Sequence, residues 1–218
     1  MGYDAVLLDL YDTRVWSDWL AWRQRIADRA GVDPERVSEA YDITRLARSV
    51  GRYPSPDAEL TAVLEAAGAH PDNAMLRDMQ AMERNAFGGT AQIYPDSLPV
   101  VRELRARGIR TALVSNCSYN TRPLVDELGL EAEFDAVILS FEAGTMKPQP
   151  EIYQLALERV GGIAPSRAVF VDDQVRYCDG ASALGIDTRL IVRPNEPLEG
   201  FGAATNGHVV INDLTALL

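Results

Sequence analysis

The stretch Val6-Leu7-Leu8-Asp9-Leu10-Tyr11-Asp12-Thr13 decides how the chain is read. An apolar run stops on a carboxylate, and a second acid and a hydroxyl follow at once. Ala5–Leu10 has the near-continuous apolar character of a strand covered on both faces, as in a parallel sheet. The same character returns in Thr111–Ser115, Ala136–Ser140, Ala168–Val171, Thr188–Val192 and His208–Ile211. Helical spacing fills the gaps: Leu98, Val101 and Leu104 before Gly108, then Leu124, Val125 and Leu128 before Gly129. Ile152, Leu155, Ala156 and Val160 lie between Pro150 and Gly161-Gly162, and Ala181 and Leu184 precede Gly185. Pro at the start and Gly at the stop are the expected helix boundaries. Strand and helix in alternation predict an α/β fold, a doubly wound parallel-sheet (Rossmann-like) core.

One interval breaks the alternation. From about Asp18 to about Phe87 helical stretches follow one another near 18–30, 34–49, 57–67 and 71–86, with Gly31, Pro34, the 51–56 segment, Gly68 and Pro71 between them. The expected organisation is a core of residues 1–14 and 90–218 with an all-helical cap, residues 15–89, inserted after the first strand. Gly88-Gly89 and Pro95 read as the return linker. Trp16, Trp19 and Trp22 open the insertion and are expected to pack it against the core, since large aromatics mostly fill cores.

The 218 residues carry 32 acidic and 21 basic side chains, a formal net charge of −11, with 47% apolar residues. No Lys/Arg block interrupts this acidic balance, so nucleic acid and anionic lipid are not the expected partners. No apolar run approaches the roughly 18 residues that span a bilayer. The N-terminus lacks a basic n-region and reads as a strand rather than a signal peptide. Cys117 and Cys178 make no disulfide framework. Together these place the chain in a reducing cytosol with two free thiols.

In a parallel sheet the C-terminal strand ends share one rim, where ligands bind. Strand one ends on Asp9, strand two on Ser115-Asn116 and strand four on Asp172-Asp173, while the loop after strand three carries Lys147. Clustered carboxylates resist joint ionisation unless a cation neutralises them. An all-oxygen donor set suits Mg²⁺, which also binds substrate phosphate. Lys147 adds a positive group that orients a nucleophile or offsets charge on a transferring phosphoryl group, and a carboxylate attacks phosphorus or carbon to give a covalent ester.

These motifs resemble the haloacid dehalogenase-like hydrolase superfamily, in its branch with a helical cap after the first motif. LLDLYDT is similar to its Asp-x-Asp-x-Thr motif, LVSNCS to its second, TMKPQPEIYQLAL to its third, and FVDDQVRYCDGASALGI to the acidic-pair form of its fourth. The resemblance implies that Asp9 is the nucleophile, Thr13 the motif threonine and Ser115 the phosphate or leaving-group binder, with Asn116 beside it and Lys147 as the motif lysine. It implies metal ligation by Asp9, the Tyr11 carbonyl, Asp173 and then Asp172. The implied activity is a Mg²⁺-dependent phosphatase acting on a small phosphorylated metabolite through an aspartyl-phosphate.

Two positions depart from the pattern. Tyr11 stands where family phosphatases carry the general acid/base Asp; a tyrosine here resembles the metal-independent 2-haloacid dehalogenases. Tyr177 stands where many relatives carry Asp or Asn, with Asp179 two residues further. Two alternatives therefore stay open: a metal-independent 2-haloacid dehalogenase with an arginine of the insertion on the carboxylate, and a degenerate, non-catalytic protein that binds a phosphorylated ligand. Asp12 reads as a turn former, with a stand-in for the missing acid/base as the other reading, and Arg45, Arg48 and Arg52 as solvated helix-face charges, with reach over an anionic substrate as the other reading. Neither cysteine has a histidine nearby in sequence to serve as its base, and no Gly-rich phosphate loop is present.

Overall fold

Each residue of Ala5–Leu8 (β1) is fully buried, which requires cover on both faces of the strand. The computed structural model describes residues 2–16, 19–90, 92–193 and 205–218, with backbone alone at 16, 19 and 83–90. After β1 come Val15–Trp16 (β2) and the helices Trp19–Ala30 (α1), Pro34–Ser49 (α2), Pro56–Ala66 (α3) and Asn73–Thr90 (α4). The chain then alternates: Gln92–Ile93 (β3), Ser97–Ala106 (α5), Arg110–Ser115 (β4), Thr121–Glu127 (α6), Leu130–Glu133 (α7), Ala136–Leu139 (β5) and Ser140–Ala143 (α8). It closes with Pro150–Arg159 (α9), Ala168–Asp172 (β6), Val175–Ser182 (α10), Asp187–Ile191 (β7) and Val209–Ile211 (β8).

Six strands form one parallel sheet in the order β5-β4-β1-β6-β7-β8. Alternate residues of β1 face opposite sides, as pleating demands. Val6 and Leu8 join Val101, Leu104, Leu124 and Leu214. Ala5 and Leu7 join Ile152, Ala156, Cys178 and Ala181. Helices thus cover both faces, and each fully buried Val or Leu contributes on the order of 1.5–3 kcal/mol relative to exposure. β1 lies at the switch point: the chain runs from it out to β4 and β5 on one side, then crosses to β6, β7 and β8 on the other.

The helices between β2 and β3 start where their sequence says. Asp33 accepts the Glu35 amide at 2.8 Å ahead of Pro34, and Ser55 accepts the Ala58 amide at 3.2 Å ahead of Pro56, the N-cap arrangement. α1 packs on α2, α2 on α3 and α4 on both α1 and α3; α4 also meets α6, and α2 meets α8. Trp22 is buried among Ile26, Val37 and Met79; the side chains of Trp16 and Trp19 lie outside the described residues.

Two features differ from the sequence reading. Gly88-Gly89 is no linker, because α4 continues to Thr90; glycine costs a helix only about 1 kcal/mol per residue. The return is made by β3, which pairs antiparallel with β2, Val15 opposite Ile93. Among the described residues no helix is long and apolar enough to cross a membrane.

Candidate active site

The sheet order sets β4 and β6 on either side of β1, so the three strand ends meet at one point of the rim. Asp9 follows the last residue of β1 and its amide still donates to Val171 at 3.0 Å, extending the ladder one step. Asp172 ends β6 with Asp173 next, and Ser115 ends β4. Carboxylate oxygens of Asp9, Asp172 and Asp173 all lie within 4.8 Å of one another, and all three residues are buried.

Lys147 enters this cluster from the loop between α8 and α9. Its Nζ donates to Asp9 Oδ1 at 2.5 Å and to Asp172 Oδ2 at 2.6 Å, and the side chain is 1% exposed. The loop is fastened by Asn116, whose Nδ2 donates to the Lys147 carbonyl at 2.8 Å while its Oδ1 accepts the Lys147 amide at 2.8 Å. Both ends of the amide are engaged, so Asn116 positions the lysine. Lys147 also lies 5.0 Å from the Tyr177 ring centroid and 5.4 Å from that of Phe170, within cation–π range.

Burial dominates the electrostatics. It pushes the carboxyls of Asp9, Asp172 and Asp173 up to about 7, against the pull of Lys147. The charge of Asp172 adds to the rise at Asp9, and that of Asp9 to the rise at Asp173. Burial alone would lower the Lys147 ammonium, but the charges of Asp172 and Asp9 outweigh it and hold it above the usual lysine range. One lysine among three buried carboxylates leaves negative charge uncompensated, and an all-oxygen donor set of this kind suits a hard divalent cation. Asp172 is the most committed of the three, since Oδ2 takes Lys147 and Oδ1 takes the Gln174 amide at 2.8 Å. Asp173 Oδ2 accepts from Gln174 Nε2 at 2.9 Å. The Ser115 and Thr13 hydroxyls are buried without a hydrogen-bond partner, and such orphans are rare unless a ligand or water completes them.

The loop after Asp9 is shaped by backbone. Asp12 takes a left-handed φ of 55° and its amide donates to Val15 at 2.8 Å, the turn role read from sequence. The Tyr11 hydroxyl lies 2.9 Å from Thr121 Oγ1, and burial raises its phenol well above the usual range. The Thr13 carbonyl accepts from Arg193 Nε at 3.0 Å and Nη2 at 2.6 Å, and Arg193 Nη1 reaches Asp96 Oδ2 at 2.8 Å. Arg193 went unremarked in the sequence although it stands just past the end of β7, where the strand-end rule that picked out Asp9 applies equally. Asp179 turns away to His208 and Asn206, each at 2.9 Å. Cys117 and Cys178 are free and buried, and burial raises the Cys117 thiol to about 12.

Between α1, α2 and the rim lies a chamber of about 380 Å³, in the range of small-molecule sites. Tyr11, Asn116 and Gln174 line its inner wall. The last two hold Lys147 and Asp173 respectively, so the chamber lies one residue away from the cluster.

The family model for haloacid dehalogenase-like hydrolase matches residues 3–185. A phosphatase of Mycobacterium tuberculosis (MT3486) is 30% identical over 129 residues, 58% of this chain and 55% of that protein. The chain thus spans about half of that relative. Glyceraldehyde 3-phosphate phosphatase of Methanopyrus kandleri is 28% identical over 197 residues, 87% of this chain and 84% of that protein. The solved structure of L-2-haloacid dehalogenase from Xanthobacter autotrophicus superimposes with a TM-score of 0.67 at 25% identity, covering 99% of this chain and 96% of that one.

Proposed function

Because this chain belongs to the haloacid dehalogenase-like hydrolases, we propose that it is a Mg²⁺-dependent phosphatase for a small phosphorylated metabolite, with Asp9 as nucleophile. The observation that carries the reading is the triad of Asp9, Asp172 and Asp173, with oxygens within 4.8 Å of one another beside a single lysine. Asp9 and Asp173, with the Tyr11 carbonyl, would hold the ion, and Asp172 would mainly hold Lys147. When bound, Mg²⁺ supplies the missing positive charge beside the phosphoryl oxygens.

Asp9 attacks phosphorus, forming an Asp9–O–P bond as the bond from phosphorus to the leaving oxygen breaks. Lys147 keeps the attacking carboxylate oriented and offsets charge on the phosphoryl group. Ser115, with its unpartnered hydroxyl, donates to a phosphoryl oxygen. Water then hydrolyses the aspartyl phosphate, releasing inorganic phosphate and restoring the carboxylate. The helices of residues 15–89 act as a cap that covers the reacting groups and selects the leaving group. No acid stands at Tyr11 to protonate the leaving oxygen, so the leaving group takes its proton from solvent, and acidic leaving groups are favoured.

A second reading rests on Tyr11 itself, which suits hydrolytic attack of Asp9 on the halogen-bearing carbon of a 2-haloacid with halide expelled. The test is phosphate release from small phosphoesters and acyl phosphates, with Mg²⁺ and with EDTA, by the parent and by Asp9→Asn. Mg²⁺-dependent release that vanishes in Asp9→Asn supports the phosphatase. Undiminished release in EDTA refutes the metal requirement. Halide release from 2-haloacids in place of phosphate establishes the second reading.

A further inference from the structure

The chamber above the carboxylate cluster has a charge opposite to that of the molecule. The chain carries a net charge of −11, yet the described residues lining this space include Arg23, Arg45, Arg48 and Arg176 against one carboxylate, Asp42. Arg48 is spoken for: it donates to Thr44 Oγ1 at 3.0 Å and the Tyr41 carbonyl at 2.9 Å, stacks on the Tyr41 ring and faces the buried Glu59. Arg45 and Arg176 are arranged differently. Arg45 reaches from α2 to the Tyr177 hydroxyl at 2.8 Å, and Arg176 reaches the same oxygen from α10 at 3.0 Å. Neither forms an ion pair among the described residues. Two guanidiniums, one from each side of the chamber, are thus drawn within two hydrogen bonds of each other onto a neutral atom. Like charges repel at that separation, and an anion seated between them relieves the repulsion while accepting bidentate hydrogen bonds from either side.

We propose that the chamber receives the leaving-group end of a phosphate ester bearing a second oxyanion, a carboxylate or a phosphate, held between Arg45 and Arg176. The inference rests on the phosphatase reading for the position of the first phosphoryl group. Tyr177, at the position where the resemblance leads one to expect Asp or Asn, then has a purpose: its hydroxyl gathers the two arginines, and its ring lies against Lys147.

Three esters of one length separate the possibilities: propyl phosphate, 3-(phosphonooxy)propanoate and propane-1,3-diyl bisphosphate. The parent is expected to favour the carboxylate or the bisphosphate over propyl phosphate by about 10- to 100-fold in kcat/KM, the worth of a charged hydrogen-bonded contact. Which of the two leads identifies the oxyanion. Arg45→Gln and Arg176→Gln are each expected to bring the ratio toward one. The ratio is taken within each variant, so a general loss of activity does not imitate the effect. A ratio near one in the parent, with propyl phosphate hydrolysed, overturns the inference and leaves the phosphatase standing. A preference that persists in both variants overturns the assignment to these arginines. If none of the three alkyl esters turns over, the phosphatase reading is left to the panel with acyl phosphates, and calorimetric titration of the same three compounds decides the anion site: preferential binding of the charged pair sustains it, and equal or absent binding overturns it.

Discussion

Lys147 lies between Asp9 and Asp172 with 1% of its side chain exposed. Its removal leaves three buried carboxylates without their cation. Lys147→Met is therefore expected to cost about 3–5 kcal/mol, the usual consequence of breaking a buried pair by deleting one partner. Denaturant melts in EDTA read this loss, and added Mg²⁺ is expected to recover more stability in the variant than in the parent. Equal stability of parent and variant in EDTA would mean that the cluster is already protonated around a neutral lysine. Tyr11 gives a contrasting prediction. Its hydroxyl is held by Thr121, and burial keeps its proton on, so it is a poor donor to a leaving group. Tyr11→Phe is expected to change kcat less than about threefold, whereas loss of a working general acid costs about 10² to 10⁴. A hundredfold fall on alkyl esters would make Tyr11 the missing acid. Arg14 is buried with Nε and Nη1 unpartnered, stacked 4.3 Å over Phe134, and burial lowers its guanidinium toward about 9. Since arginine stays charged in proteins, this is desolvation without full compensation, and Arg14→Met is expected to raise the melting temperature.

The α2–α3 turn docks on the sheet unit through backbone. Gly51 has φ of 63°, and a Cβ there would run into the Phe141 carbonyl oxygen on α8. Next to it the Tyr119 hydroxyl donates to the Tyr53 carbonyl at 2.9 Å, and Tyr119 lies against Phe141. Gly51→Ala is expected to push α2 off α8 at a cost of about 1–3 kcal/mol. Because α2 carries Arg45, KM should rise more than kcat falls, and steady-state kinetics with a thermal melt read both. An unchanged KM would separate this turn from substrate binding. Elements of this scale differ sharply in how well the sequence announces them. Five of the six sheet strands have three or more consecutive apolar residues, β7 has only Leu190-Ile191, and all six stand at the expected places, displaced by one or two positions, as where β1 stops at Leu8 rather than Leu10. The ribbon of Val15–Trp16 and Gln92–Ile93 went unseen because two residues carry no period. The strand-end acids were legible because position in a parallel sheet dictates the rim they share. The Arg45–Tyr177–Arg176 junction joins residues 132 positions apart, and no local pattern encodes that meeting.

For the whole molecule, acidity and the candidate metal site are coupled through pH. Asp9, Asp172 and Asp173 are pushed up to about 7 from about 4 for an unperturbed carboxyl. Between those values the folded protein holds protons that the unfolded chain has released. Without metal, this contribution to stability is fully present below about pH 4 and is lost as pH rises through 7. The net charge of −11 adds self-repulsion in the same direction, so a falling melting temperature in EDTA would not by itself identify the cluster. The difference between Mg²⁺ and EDTA at each pH does, because general repulsion enters both arms. Cation binding needs the carboxylates ionised, so the proton and the ion compete for the same oxygens. At pH 8 and a hundredfold excess over the dissociation constant, Mg²⁺ should stabilise by about 2.7 kcal/mol, raising the melting temperature by about 5–10 °C. At pH 5 most of that gain should vanish. A Mg²⁺ increment of the same size at both pH values would place the ion elsewhere on this acidic surface, and Asp173→Asn, expected to abolish the increment at pH 8, supplies the independent check.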